Sequence, residues 1–246
     1  MDELKRLQEL AERSYQNGQY AFTDFLSMAE LSVYYENIKK LAFACPALSG
    51  GYEGAERQMI RFGNEEELGY TVDFPIDILH ITPVSEKFAD DLNHRDYLGA
   101  LMNLGIRREM TGDIVVKGRE AFLFCENTLS PFIAENILKV KHTSVRVEVV
   151  AEVPSLAAPE KKEKVVQVQS NRIDAVTARV YGMSRQEAVT LFFEHRVYLN
   201  GKECTENAKM LNPGDIISIR GKGRFEYAEE LSFSKKGKLN CRVMCW

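Results

Sequence analysis

Cysteine is scarce in this chain and poorly placed for a scaffold: Cys45, Cys125, Cys204, Cys241 and Cys245 are odd in number and scattered. That excludes a disulfide framework. Cys241 and Cys245 stand alone, with no second Cys or His pair nearby to complete a metal-ligand set, so no metal is expected. No run approaches the ~18 consecutive apolar residues of a membrane span. Met1-Asp2-Glu3-Leu4-Lys5 lacks the basic-then-apolar order of a secretory leader. The expected location is cytoplasmic, with no membrane contact. Catalytic signatures are missing too. Gly50, Gly51 and Gly54 lack the Gly-Lys-Ser/Thr end of a phosphate loop. No glycine-rich loop has the strand–loop–helix setting of a methyltransferase. His80, His94, His142 and His195 are widely separated, and no Ser or Cys sits in a nucleophile elbow. Neither cofactor nor catalytic residue is expected.

What is present is an ordinary soluble composition with an uneven charge distribution. The 246 residues suit two or three small domains. The net charge of −4 divides sharply. From Val165 onward 13 Lys+Arg stand against 9 Asp+Glu, a net of +4, which leaves 19 against 27, a net of −8, for residues 1–164. A basic module on an acidic body points, weakly on its own, to a polyanionic partner for the module.

The apolar spacing predicts an α+β chain. In residues 1–75, a mixed helical domain, Leu4, Leu7, Ala11 and Tyr15 predict a first helix, Thr23-Asp24 starts a second, and Met59–Phe74 is extended with a turn at Asn64. The Gly50–Arg57 stretch is read as a turn, with Tyr52 and Arg57 tying the first two domains together. Residues 76–153 read as strand Ile76–Thr82, helix Phe88–Leu104, a hairpin of Asp113–Lys117 and Glu120–Cys125 across Gly118-Arg119, helix Ser130–Val140 and strand Thr143–Val153. That β-α-β-β-α-β order is ferredoxin-like, or RRM-like. Phe122 and Phe124 share a strand face, where they either stack RNA bases or belong to the core. The core reading is favoured because Leu123 between them is equally apolar. Arg107, Arg108, Lys117 and Arg119 lie close in sequence and offer a second basic surface. Residues 154–164 read as a charged, flexible linker.

Residues 165–246 carry the most informative pattern. Ile173, Val176 and Val180 form one helical stripe, and Arg172 and Arg179, seven apart, share a neighbouring face. Gly182 is placed for a left-handed cap. Ser184 and Glu187 form a capping box for a second helix that buries Ala188, Leu191 and Phe192. Arg185 and Gln186 then stand at that helix's exposed first turn, where free N–H groups favour an anion. Asn200-Gly201 marks a tight hairpin bearing Lys202. Pro213-Gly214-Asp215 is a second turn, which Asp215 shapes. Arg220-Gly221-Lys222-Gly223-Arg224 presents three cations on a backbone that glycine lets approach a partner closely. Arg172, Arg185, Arg220, Lys222 and Arg224 are the expected phosphate holders. Ser184 and Gln186 position the second helix, and Lys202 extends the surface.

In order and spacing, residues 165–230 resemble the αL-motif RNA-binding domain named after small-subunit ribosomal protein S-four. The rest of the chain narrows the resemblance. Gly51-Tyr52-Glu53-Gly54-Ala55-Glu56-Arg57, His94-Arg95-Asp96-Tyr97-Leu98-Gly99-Ala100-Leu101-Met102, and Leu104-Gly105-Ile106-Arg107-Arg108-Glu109 with Gly112-Asp113-Ile114 look like signatures of the bacterial YlmH family. That resemblance implies a non-catalytic, cytoplasmic RNA-binding protein encoded near cell-division genes. It further implies structured rRNA, tRNA and the large ribosomal subunit as partners, in rescue of subunits that hold an unfinished peptidyl-tRNA.

Two other readings stay open. One is an RNA-modifying enzyme, pseudouridine synthase-like or methyltransferase-like, targeted by the C-terminal domain and using Asp73, His94, Arg95 and Asp96 near Gly50–Arg57. Against it, His94-Arg95-Asp96 lacks both the companion motifs of a kinase loop and the leucine of the pseudouridine synthase segment. These residues are expected instead to cap, pair or face a partner. The other reading is an adaptor to cell division, with the acidic N-terminal region binding protein.

Overall fold

The computed structural model describes residues 2–151, 161–234 and 236–246. The chain divides into two compact units, Met1–Ser27 with Asn37–Ala158 and Met28–Glu36 with Pro159–Trp246.

The first unit opens with α1 (Glu3–Asn17), capped by Asp2 and ended by Gly18 at φ +61°. Leu7 and Ala11 are buried as expected, but the next buried position is Ser14, and Tyr15 is 63% exposed. The stripe advances by three there rather than four, so Tyr15 rotates off the face. It meets Phe43 edge-on at 5.6 Å instead. The second helix does not start at Thr23. After β1 (Ala21–Phe22) the Thr23 hydroxyl accepts from Ile60 N and donates to Asp24 O, and Leu26 bridges to Gln58, which holds the chain extended. The helix α2 runs Met28–Leu41, broken at Asn37 (φ −113°), and the break is where the chain passes from Met28–Glu36 of the second unit back to the first. Strands β2 (Ala47–Ser49) and β3 (Met59–Phe62) complete a small antiparallel sheet in the order β1-β3-β2. Met59–Phe74 is extended only at its start. Asn64 does not turn the chain between strands; its side chain caps the short helix α3 (Glu65–Leu68).

The same unit continues through β4 (Ile76–Pro83), α4 (His94–Asn103), β5 (Thr111–Lys117), β6 (Glu120–Glu126), α5 (Ser130–Asn136), β7 (Lys139–Val140) and β8 (Thr143–Val150). The antiparallel sheet runs β5-β6-β4-β8-β7. Tyr97 and Leu101 from α4 and Ile133 from α5 pack on Leu79, Ile81 and Leu123, so both helices cover one sheet face. α4 begins at His94 rather than Phe88, because Asn93 and Asp96 form a reciprocal capping box there. α5 ends at Asn136 rather than Val140, and Lys141 at φ +52° turns β7 onto β8. The alternation in β8 buries Val145 but leaves Val149 exposed. On the opposite face Phe122 and Phe124 are buried with Phe25 and Met59. The core reading of the two phenylalanines holds, and they are not available to stack bases.

In the second unit β9 (Lys162–Val168) precedes α6 (Ile173–Tyr181), α7 (Arg185–Phe193), β10 (Val197–Leu199), β11 (Lys202–Glu203), β12 (Asp215–Ile219), β13 (Gly223–Phe233) and β14 (Leu239–Cys245). The antiparallel sheet runs β11-β10-β12-β13-β14-β9. Of the segment read as a linker, 154–160 lies outside the described residues, and Lys162, Glu163 and Lys164 already pair with β14. A strand at a sheet edge tolerates such charge. Ile173, Val176, Leu191 and Phe192 from the helices pack on Ile217, Ile219, Phe225, Tyr227 and Val243. Each fully buried side chain of this size contributes about 1.5–3 kcal/mol.

Candidate nucleic-acid interface

The joint between α6 and α7 forms as its local chemistry dictates. Gly182 takes φ +65° and returns its N–H to Ala178 O. The Ser184 hydroxyl accepts from Glu187 N at 3.2 Å, and the Glu187 carboxylate accepts from Ser184 N at 2.7 Å. The bond from Ser184 N, then the Ser184 side chain, with the charge of Lys222, hold the Glu187 carboxyl below its ordinary range. Lys222 therefore lies within charge reach of the first turn of α7. Gln186 is exposed in that turn and gives its carbonyl to the Thr190 hydroxyl.

Asp174, to which the sequence reading assigned no role, organises the two arginines at this joint. Its carboxylate is 1% exposed. Arg172 donates to it from Nη2 at 2.8 Å and Nε at 3.2 Å. Arg185 donates from Nη2 at 3.2 Å and Nε at 3.3 Å. The hydrogen bonds to Asp174 raise the Arg172 pKa further. Arg172 occupies the cap position before α6 and not its first turn, so it shares no helical face with Arg179. Each guanidinium spends one edge on Asp174. Among the described residues neither Nη1 meets an acceptor, so each arginine keeps donors aimed outward in a fixed orientation.

Arg179, Ser184 and Arg185 come together along one cleft with Lys238, a residue the sequence reading passed over. The turn bearing Arg220 is braced by Arg196, also unforeseen: its Nε and Nη2 donate to Arg220 O at 3.1 and 2.8 Å. Among the described residues, Arg179, Lys202, Arg220, Lys222 and Lys238 have no carboxylate within ion-pair distance.

Two expected members stand apart. Arg224 pairs with Ser218 across the strands, one residue out of step with the inward Phe225. The pleat therefore turns it to the sheet face away from α6 and α7, where it lies over the Trp246 ring at 5.8 Å. Lys202 lies on β11, at the opposite sheet edge from β9. Asn200 at φ +52° and Gly201 at φ +80° form the expected hairpin turn. The Asn200 side chain accepts from Ile216 N and donates to Asp215, which in turn accepts from Asn212 N, so Asp215 does shape its turn.

The second basic surface does not form. Arg108 points inward, donating to Thr111 O, Thr111 Oγ1 and Gly112 O at 2.6–2.8 Å, and burial with the neighbouring Arg57 pushes it down to about 10. Arg107 pairs with Glu109 and Arg119 with Asp91. Arg107 lies before β5 and Lys117 at its far end, and the seven-residue strand alone spans about 20 Å.

The glycine-rich stretch of the first unit meets Asp113. Its Oδ2 accepts from Tyr52 Oη at 2.8 Å and Glu56 N at 2.7 Å, and its Oδ1 from Arg57 N at 3.2 Å. Arg57 reaches Thr111 O and Phe25 O, and Tyr52 stacks on Phe124 with centroids 4.8 Å apart. Tyr52 and Arg57 thus tie the first two segments together as expected. His94 lies within charge reach of Arg108 and Asp113. Asp96 accepts from Asn93 N and pairs with Lys141, each at 2.9 Å, and Asp73 is exposed.

Known proteins match much of this chain. Residues 1–67 match the family model described as "YlmH, N-terminal", and residues 70–153 match "Putative RNA-binding domain in YlmH". A relative from Bacillus subtilis (strain 168), "Ribosome-associated protein quality control protein P2", is 30% identical over 220 residues, spanning 88% of this chain and 83% of its own length. The chain belongs to the YlmH family. A solved structure, "Cell division protein ylmH from Streptococcus pneumoniae", aligns with a TM-score of 0.48 at 20% identity, covering 60% of this chain and 88% of that one. The two YlmH segments meet at residues 67–70, so the Asp113 hub joins one to the other.

Proposed function

We propose that this chain is a non-catalytic RNA-binding protein of the translation apparatus, and that its second unit is an S-four-type, αL-motif domain that docks on structured RNA. The observation that carries the reading is the row of unpaired cations at the α6–α7 joint. Arg179 and Lys238 have no carboxylate within ion-pair distance among the described residues, Lys222 forms no ion pair although its charge reaches the Glu187 carboxyl, and Asp174 orients Arg172 and Arg185 without covering them. Lone cations on a protein surface suit phosphates, whose contacts position a protein on a duplex without reading its sequence. The strand order β5-β6-β4-β8 with both helices on one face supports a ferredoxin-like middle domain. That domain acts through surfaces other than Phe122 and Phe124.

By analogy with the B. subtilis relative, named as ribosome-associated, the RNA is ribosomal, and the tRNA beside it follows from the family resemblance of the sequence. We assign the protein to ribosome-associated quality control on large subunits holding peptidyl-tRNA, in the cytoplasm. The acidic first unit then offers a surface to protein partners, and any link to cell division passes through it.

The test is sedimentation of lysate through sucrose gradients at rising salt. Comigration with large subunits that falls steeply with salt is expected of a phosphate-dominated contact. Arg179→Glu with Lys222→Glu should abolish comigration while leaving the circular dichroism spectrum intact. A wild-type chain that runs free at low salt would overturn the assignment.

A further inference from the structure

We propose that the cleft between α6 and β9 receives one unstacked nucleotide of the bound RNA. The inference rests on the RNA-binding reading and names what that surface takes. The cleft holds about 260 Å³. Its floor is small and apolar, formed by Val168, Ala175, Ala178 and Met183. Its rim carries Arg179, Arg185 and Lys238, and no carboxylate lines it. Gln169 adds an exposed amide, and the Gln167 amide donates to Asn240 Oδ1 at 3.0 Å, which leaves its carbonyl to accept.

These parts match the parts of a nucleotide. An apolar floor suits the face of a base, and amides pair with base edges. Cations at the rim suit the flanking phosphates. A duplex cannot use such a floor. It presents its backbone on a convex surface and keeps its bases stacked, so only a residue that leaves the stack reaches into a hollow. A second hollow, lined by Lys164 and Val165 among others, shares Arg179, Gln167 and Lys238 with the first. The two cations therefore stand on the ridge between neighbouring hollows, where the phosphate joining two successive nucleotides would lie.

The test uses the full chain with two RNA probes, a fully paired hairpin and the same hairpin with one bulged nucleotide, compared by fluorescence anisotropy. The bulged hairpin should bind roughly tenfold tighter, within the range that stacking one base contributes. Ala175→Phe, which fills the hollow, and Gln169→Ala, an exposed position that leaves the fold untouched, should each shrink that preference. Equal binding of the two hairpins by the wild type would overturn the cleft and leave the RNA-binding reading standing. A preference unchanged in both variants would overturn its placement here. Failure to bind either hairpin would overturn both.

Discussion

Asp174 shows how one buried carboxylate sets the behaviour of two surface residues. A lone arginine samples many rotamers, and fixing it on a ligand costs entropy. Here Arg172 and Arg185 are already fixed. Asp174→Ala should lower unfolding stability by about 1–2 kcal/mol in urea titrations, a modest loss because both guanidiniums remain half in water. RNA affinity should fall with it. A variant with unchanged RNA affinity would remove Asp174 from the binding argument. Asp96 gives a pH dependence of known sign. The Asn93 N–H, then Lys141, hold its carboxyl below the ordinary range. Its stabilising contribution is present above the unfolded value near 4 and is lost as pH falls through the folded one. Acid unfolding of Asp96→Asn should therefore show a weaker dependence in that window than the wild type. The Ser184–Glu187 box could be read from sequence because its partners are three residues apart. Asp174 could not, because Arg185 lies eleven residues on and across a turn. Arg108 was misplaced because two of its three acceptors are backbone carbonyls, which leave no trace in residue identity.

At the scale of elements, the Gly50–Arg57 stretch acts as a clasp, and Gly51 is its tightest point. It sits at φ +89°, and a Cβ there would lie 2.5 Å from the Phe124 ring. Gly51→Ala should destabilise the first unit by roughly 1–3 kcal/mol, through both strain and the displaced ring. Thermal melting followed by near-ultraviolet circular dichroism would register it, and an unchanged midpoint would refute the packing described. Element types were largely legible: the order from β4 to β8 and the pair α6 and α7 follow from periodicity and caps. Boundaries failed where a side chain competed with the local pattern. Thr23 looked like a helix start, yet its hydroxyl binds Ile60 N, a partner 37 residues away. Similarly, Val140 continues the apolar spacing of Ile133 and Ile137, yet a left-handed Lys141 diverts it into a strand.

For the whole molecule, the charge split in the sequence anticipated which unit gathers cations along one cleft. What it could not reveal was where they meet. Lys238 reaches the helix joint only because β14 returns beside β9, a pairing across the length of the second unit. That pairing also bears on the order of events during synthesis. Domains fold as the chain emerges, N-terminal first. β9 lies at the edge of its sheet with β14 as its sheet neighbour, and β14 is made only after α6, α7 and every strand from β10 to β13. A nascent chain can therefore display its arginine-bearing helices well before the wall that Lys238 supplies exists. The cleft that Lys238 lines is therefore completed only once the last strand of the chain has been made and has docked on the first strand of its sheet.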